Sequence, residues 1–365
     1  MKNLILSLIF ILGSHKSFAA ISFSDGVFPE FITSARALAL GNAYIALADD
    51  AMSAMYNPAG LGSVRKPHLH LSNIAIEINQ GWTQMGTGGF ITNTFGNLTK
   101  GFSLDGIRAL ANNNKGKISN ARIQAMPNFT ARYYSFGYLL SSHLRGTVGT
   151  AVGDQFEYAT RFDHGPYLSL NLSLMGGLLK FGVTTLYLFR TQKVGSADPA
   201  VALNLAQADQ QAGQSLQVIS GMKFTLPFAG LPTIAMKMNN SLGNKFVING
   251  TTNADPIKQS LDLGIAITPQ MGNTLRFHLE LNYKDALKKY GDVSDRRRLQ
   301  LGFEMDFGRR FFIRGGYGDG FGSGGIGIKS KKLEFDLTSY AVDTTSNAYR
   351  GQQDRRYMLA ISTGF

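Results

Sequence analysis

The sequence predicts an all-β protein: a transmembrane antiparallel β-barrel of about fourteen strands with an N-terminal hatch, or plug, segment. Three observations carry this expectation. The chain opens on an export-signal pattern. Segment after segment alternates apolar and polar residues with a two-residue period. The last eleven residues, Arg355 to Phe365, form one more such segment and stop on an aromatic residue.

At the front, Met1-Lys2-Asn3 is cationic, and Leu4 to Leu12 is an apolar run too short to cross a bilayer as a helix. Ser17-Phe18-Ala19 places small residues where a signal peptidase reads them. A signal peptide is therefore expected over residues 1–19, with cleavage after Ala19 or Ala20. The chain has 0 cysteines, which excludes a lipid-modified N-terminal cysteine and a disulfide framework, and fits a protein crossing an oxidising envelope.

Composition narrows the class. Beyond the signal no apolar stretch approaches the length of a membrane helix, so a helical membrane protein is excluded. The 42 Gly, 25 Phe and 14 Tyr suit strands, tight turns and aromatic girdles at two membrane interfaces. A net charge of +12 could indicate nucleic acid, but the basic residues are scattered or sit in turn-like clusters such as Arg296-Arg297-Arg298. No basic recognition helix or nucleic-acid module is present, so no nucleic-acid partner is expected. Contact with outer-membrane lipid and lipopolysaccharide phosphates and plain solvated loop charge are equally open readings of that charge.

The strands follow in order. In Arg276 to Tyr283, Phe277, Leu279, Leu281 and Tyr283 face one way, while His278, Glu280 and Asn282 face the other. In Arg298 to Phe307, Leu299, Leu301, Phe303, Met305 and Phe307 oppose Gln300, Glu304 and Asp306. A lipid-facing apolar side and a wet lumen account for both faces. Strands are expected near 69–79, 128–141, 144–160, 165–176, 178–192, 215–226, 231–241, 259–268, 273–284, 296–306, 309–317, 323–329, 332–342 and 355–365. If Phe365, the membrane-insertion terminus, lies at the periplasmic rim, alternate connections must be short. Ser142-His143, Gly176-Gly177, Phe307-Gly308 and Ser330-Lys331 fit that rule. The long connections, 80–127 and 193–214 among them, then face outward. Helical spacing in Phe95 to Ala111 and helix propensity in Ala200 to Ala212 predict helices within them.

Before the barrel (67–365) lies residues 20–66, in which Ser34 to Gly62 is rich in small apolar residues. Asp49-Asp50 can cap a short helix, and Asn57-Pro58 enforces an extended residue and a turn. So irregular a backbone cannot face hydrocarbon, and the segment is read as a plug in the lumen. Asp49 and Asp50 could also engage Arg36 and hold the plug shut; capping and latching stand as equal readings.

Ala35-Arg36-Ala37-Leu38 through Asn57-Pro58-Ala59-Gly60-Leu61 resembles the N-terminal hatch of the FadL-type outer-membrane transport proteins, and more closely that of their PorV/PorQ-like branch. The specific likeness covers this stretch alone; the remainder matches by architecture. The resemblance implies a monomeric barrel in a Gram-negative outer membrane, with Asn57, Pro58, Ala59 and Gly60 as the hatch motif. It implies passage of hydrophobic, fatty-acid-like small molecules, captured at loops 80–127 and 193–214 and released by movement of the hatch. The alternative it implies is a PorV-like component that handles secreted proteins.

Chemistry is thinly represented. His68 and His70 share a strand face but lack an evident third ligand, so no metal or other cofactor is expected. His278 and Glu280 share a face, and lumen hydrogen bonding explains them more economically than catalysis; no enzyme is expected. Gly315 to Gly322 mimics a dinucleotide loop, yet no helix follows, and it reads as a glycine-rich hairpin.

Overall fold

The computed structural model describes residues 28, 30–87, 100–203, 205, 210–247, 254–272, 274–344 and 353–364. The expected signal peptide and Phe365 lie outside the described residues. Fourteen antiparallel strands close into a barrel. They are β1 (His68–Asn79), β2 (Ile118–Ala125, continued by Asn128–Thr130), β3 (Tyr134–Val148), β4 (Phe156–Leu174), β5 (Leu179–Ala197), β6 (Gln211–Thr225) and β7 (Thr233–Asn239). The second half comprises β8 (Ser260–Ile267), β9 (Leu275–Tyr283), β10 (Leu299–Phe307), β11 (Phe311–Gly318), β12 (Phe321–Lys329), β13 (Leu333–Asp343) and β14 (Gln353–Gly364). Each strand pairs with the next, and β14 returns to β1, from His70 opposite Gly364 to Asn79 opposite Arg356. Closure matters because an unpaired sheet edge in hydrocarbon would leave a row of unsatisfied backbone groups.

The alternation has the polarity of a membrane barrel. On β9, His278, Glu280 and Asn282 are buried in the lumen, while Leu279 is 43% and Leu281 36% exposed on the outer wall. On β5, Lys180, Thr184, Arg190 and Gln192 turn inward, and Phe181, Val183 and Tyr187 turn outward. A water-soluble sandwich would invert this arrangement. Among the described residues no helix is long and apolar enough to cross a membrane.

Connections of two lengths separate the barrel ends. Those at 131–133, 175–178, 226–232, 268–274, 308–310 and 330–332 gather at the end where β14 finishes, the short-turn end, which in bacterial barrels is periplasmic. The described residues of the segments 80–117, 198–210, 240–259 and 284–298 gather at the other. The tight reversal between β11 and β12, by contrast, needs only Asp319 and Gly320. Both have positive φ, 50° and 89°, the two-residue hairpin geometry that glycine favours at its second position.

The structure departs from the expected strands in one region. Ser142 and His143, expected as a turn, lie mid-strand in β3, opposite Phe162 and Arg161. Ser141 and His143 are buried and lumen-facing, so their polarity marks an inward position and not a loop. Ile118–Ala125, expected within the loop 80–127, is instead the strand β2. Its inward residues Asn120, Arg122 and Gln124 are all polar, and only Ile123 supplies a large exposed apolar side chain. β2 is interrupted at Met126-Pro127, because proline has no N–H for the ladder. Met126 N nonetheless donates to Asn73 O at 3.1 Å, and Tyr138 N to Pro127 O at 3.0 Å, so the wall stays paired across the break.

In the long segments α3 (Gln80–Thr87) and α4 (Leu104–Asn113) fold over the mouth, where Ile107 and Ala111 pack with Val148, Phe156 and Tyr158 at the ends of β3 and β4. Where a helix was expected over 200–212, the described residues 200–203, 205 and 210 are turn, bend or coil and Gln211 and Ala212 already belong to β6, the remainder lying outside the described residues.

Candidate functional site: the plug in the lumen

Residues 30–64 fill the lumen. They form α1 (Ala35–Ala39), α2 (Ser53–Tyr56) and a 3-10 turn, Pro58–Ser63. α1 is capped by Ser34, whose hydroxyl accepts from Ala37 N, and it stops at Gly41 and Asn42, both left-handed at φ 64° and 67°. Elements this short cannot satisfy their own backbone, so the wall does it for them. Glu280 on β9 accepts from Ala46 N at 2.8 Å and Leu47 N at 2.7 Å. Gln124 on β2 accepts from Thr33 N and donates back to Thr33 O. Thr184, Asn171, Ser323 and Thr338 donate to the carbonyls of Ala54, Ala59, Ala39 and Ala35. Side chains of six strands thus read the plug backbone directly.

The plug has two unlike sides. Phe31, Leu47, Met52, Met55 and Tyr56 form one apolar cluster with Leu139, Tyr167, Leu186, Leu188 and Ile219 of β3 to β6. Full burial of such a side chain contributes about 1.5–3 kcal/mol. The opposite side is ionic. Arg36 donates from Nε and Nη2 to both carboxylate oxygens of Glu304 on β10, at 2.8 and 2.7 Å. Its Nη1 reaches Tyr44 Oη at 2.9 Å, Asp49 Oδ1 at 2.7 Å and Asp50 Oδ2 at 3.3 Å. Glu304 also accepts from Arg314 Nε on β11, and Arg314 continues to Asp336 on β13. The chain of charge Asp49, Arg36, Glu304, Arg314, Asp336 alternates in sign along its length.

That network sets protonation in the plug. Burial opposes the Arg36 charge, but Glu304 and the acidic groups around it outweigh burial and keep Arg36 a cation. Burial likewise pushes the Asp49 carboxyl up, and Arg36 pulls it below its ordinary value. Asp50 goes the other way: burial raises it, and the neighbouring Asp49 charge adds to the rise. The Tyr44 hydroxyl donates to Asp50 Oδ2 at 2.6 Å. Asp50 also accepts from Met52 N at 2.9 Å, a bond just ahead of α2, whose own N-cap, Met52, has no side-chain cap. Of the two expected roles for this pair, the structure places Asp49 and Asp50 on Arg36 and leaves α2 uncapped.

Asn57, Pro58, Ala59 and Gly60, expected as the hatch motif, sit close against the wall. All four are buried. Asn57 Nδ2 donates to Ile45 O at 2.8 Å, and its Oδ1 accepts from Ala59 N at 3.1 Å, starting the 3-10 turn. The wall makes room with glycine. A Cβ at Gly182 on β5 would stand 2.1 Å from Pro58 C, and one at its cross-strand partner Gly221 would stand 2.0 Å from Asn57 Oδ1. Gly316 on β11 gives the same clearance to Leu40 and Gly41, whose backbone would lie 2.2 Å from a Cβ there. The sequence reading singles out neither Gly182 nor Gly221, and takes Gly316 only as part of the glycine-rich hairpin. The available signal was a glycine at an inward position of an alternating strand.

The other expectations fall as follows. The rings of His68 and His70 lie 4.3 Å apart with their planes tilted by 56°, and His70 Nδ1 lies 2.7 Å from Ser362 Oγ. Among the described residues no group of three metal-ligating side chains converges. His278 hydrogen-bonds Thr268 Oγ1 at 3.0 Å, and Glu280 is occupied by the plug amides.

Two cavities flank the plug. One of about 120 Å³ lies toward the long loops, lined by Phe28, Leu38, Tyr340 and several arginines. The other, about 790 Å³, opens at the short-turn end. The plug residues from Thr33 to Asn42 stand between them.

No protein-family model matches the sequence. No curated protein matches it either. Solved structures do. The chain is similar to the CymD monoaromatic hydrocarbon channel, with a TM-score of 0.51 and 11% identity over 93% of this chain and 99% of that one. It is also similar to the toluene transporter TbuX of Ralstonia pickettii, at TM-score 0.49 and 11% identity over 91% and 98%. The toluene transporter TodX of P. putida follows at 0.41 and 9% over 92% and 98%. The first of these reaches a TM-score at which the fold itself is shared. The chain shares with it a closed barrel of fourteen antiparallel strands.

Proposed function

We propose that the barrel passes hydrophobic small molecules across the outer membrane, with the plug as its gate. The observation that supports this reading is the division of the lumen. An apolar seam between the plug and β3–β6 runs beside a plug that separates two cavities. A hydrophobic solute moving along that seam exchanges one apolar surface for another, whereas the ionic side would have to desolvate it against charges. The shared fold with a hydrocarbon channel is consistent with this route. Fatty-acid-like compounds and small aromatic hydrocarbons are the substrate classes to compare.

The fastening of the plug supports a second reading, in which the barrel stays shut and serves a secretion or surface-attachment pathway of the PorV-like kind. One experiment separates the two. The chain has 0 cysteines, so a pair can be introduced without background. Ala43 Cβ lies 3.2 Å from an ideal Cβ on Gly302, slightly closer than the Cβ atoms of a disulfide stand, so the small shift that Leu40 at 3.0 Å also requires brings the pair to bonding distance. In a strain lacking the native gene, Ala43→Cys/Gly302→Cys should support uptake of labelled toluene or oleate when reduced and lose it when oxidised. Uptake equal in the deletion strain and the complemented strain would remove the transport reading and leave the second.

A further inference from the structure

The 790 Å³ cavity at the short-turn end is a vestibule with an unbalanced charge. Its lining contains eight arginines and lysines against five carboxylates. All five carboxylates are engaged. Asp49 and Asp50 bind Arg36, Asp306 binds Arg276, Glu334 binds Lys329 at 2.7 Å, and Asp336 binds Arg314. Five cations on the same lining, Arg65, Lys66, Arg309, Arg310 and Lys331, make no ion pair among the described residues.

Those five come from three separate stretches: the end of the plug (65–66), the β10–β11 turn (308–310) and the β12–β13 turn (330–332). Their convergence on one concavity is not required by the fold, since turn residues could as easily point away from the lumen. It also costs free energy. Arg65 is exposed, yet it stands near the guanidinium groups of Arg309 and Arg276; partial desolvation first and then that crowding pull its pKa below the usual arginine value. A bound anion would relieve this repulsion. The cavity volume falls in the range of small-molecule sites, roughly 300–1,000 Å³.

We infer that this vestibule binds a soluble multivalent oxyanion, carrying carboxylate or phosphate groups, that enters from the short-turn end. Guanidinium groups pair with such oxygens through parallel N–H donors, and cations lining a concavity with low-dielectric walls concentrate anions there. The cations line the lumen and not the lipid-facing wall, which favours a solute over a bilayer headgroup. The site is separate from the apolar seam, so it can succeed or fail independently of the transport reading.

Pyrophosphate is a suitable probe. Titrated calorimetrically into the refolded full chain in phosphatidylcholine nanodiscs, it should bind saturably at one site per barrel, more weakly as NaCl is raised. Arg309→Asn/Arg310→Gln should weaken binding at least tenfold; Asn is chosen because Arg309 has φ 59°. Arg65→Gln/Lys66→Gln should also weaken it, and this second variant guards against a folding defect in the turn. Lys115→Gln, exposed among the long loops, should bind as wild type. Nanodiscs containing phosphatidylglycerol distinguish the sources: unchanged affinity assigns the site to a solute, and competition assigns the same cations to lipid phosphate. No saturable binding, or wild-type affinity in both cation variants, would overturn the proposal.

Discussion

Arg36 of the plug and Glu304 of β10 form a two-point ion pair, Nε to Oε2 at 2.8 Å and Nη2 to Oε1 at 2.7 Å, with the Glu304 side chain fully buried. The pair joins residues 268 positions apart and ties the plug to the wall at the start of α1. Removing Glu304 would leave Arg36 and Arg314 as neighbouring buried cations, Arg36 with only the carboxylates of Asp49 and Asp50 and Arg314 with only that of Asp336. Glu304→Ala should therefore cost about 3–5 kcal/mol, the range for an orphaned buried charge. The urea midpoint of the refolded barrel should fall, and trypsin should cut at Arg36 before the barrel unfolds. An unchanged midpoint with Arg36 still protected would refute the latch.

The glycine clearances give a second expectation. Gly182→Ala and Gly221→Ala place a methyl where Pro58 and Asn57 already stand. Overpacking of this kind costs about 1–3 kcal/mol, or the motif moves off the wall. In planar bilayers both variants should show larger or more frequent conductance steps than wild type. Gly315→Ala is the control, because nothing lies within 4 Å of a Cβ there. Equal behaviour of all three variants would contradict the clearance argument.

Asn57 makes a narrower case. Its amide both donates to Ile45 O and accepts from Ala59 N, two roles that aspartate cannot fill together. Asn57→Asp should lose about 1–3 kcal/mol through the unsatisfied carbonyl and the buried charge. Asn57→Ala also leaves the Ile45 carbonyl unpaired and loses a cap worth about 1 kcal/mol, but it buries no charge and should be the milder change. The urea midpoint of the refolded barrel would report it; a lower midpoint in the alanine variant than in the aspartate variant would reverse the ranking.

These residues show what the sequence made legible. The barrel was readable because lipid and a polar lumen impose opposite chemistry on alternating positions, as on β9 and β10. The irregularity of the segment ahead of the barrel was readable because Asn57-Pro58 and its small neighbours suit neither strand nor hydrocarbon. Arg36 could be matched to Asp49 and Asp50 because they are close in the chain. Glu304, Glu280 and Gln124 could not be matched to the plug, since any inward polar residue on any strand looks alike until register fixes its height. The same ambiguity hid β2, whose inward Asn120, Arg122 and Gln124 read as a loop.

The front of the plug should respond to pH through Glu30 and Lys284, whose Nζ lies 2.5 Å from Glu30 Oε1. Burial pushes the Glu30 carboxyl up, and Lys284 with Lys237 outweighs it, leaving the pKa below the ordinary value of 4.5. A depressed carboxyl pKa stabilises the folded state above pH 4.5, and that contribution is lost as pH falls through the folded value. Burial pushes Lys284 down, and Glu30 outweighs it, leaving its pKa above 10.5. A raised lysine pKa stabilises fully below pH 10.5 and is lost as pH climbs through the folded value. The contact is thus complete between those limits and weakens at both extremes. Hydrogen exchange of Phe31 and Ile32, followed across pH after correction for intrinsic rates, should show protection falling on the acid side. Glu30→Gln removes the charge at every pH, so its acid limb should flatten while the rest of the barrel keeps its protection. If the variant retained the wild-type acid limb, the loss would have to come from another group, and Asp49 would be next to test. Its pKa is also held below its ordinary value, by Arg36 against burial, and its stabilisation would be lost in the same direction.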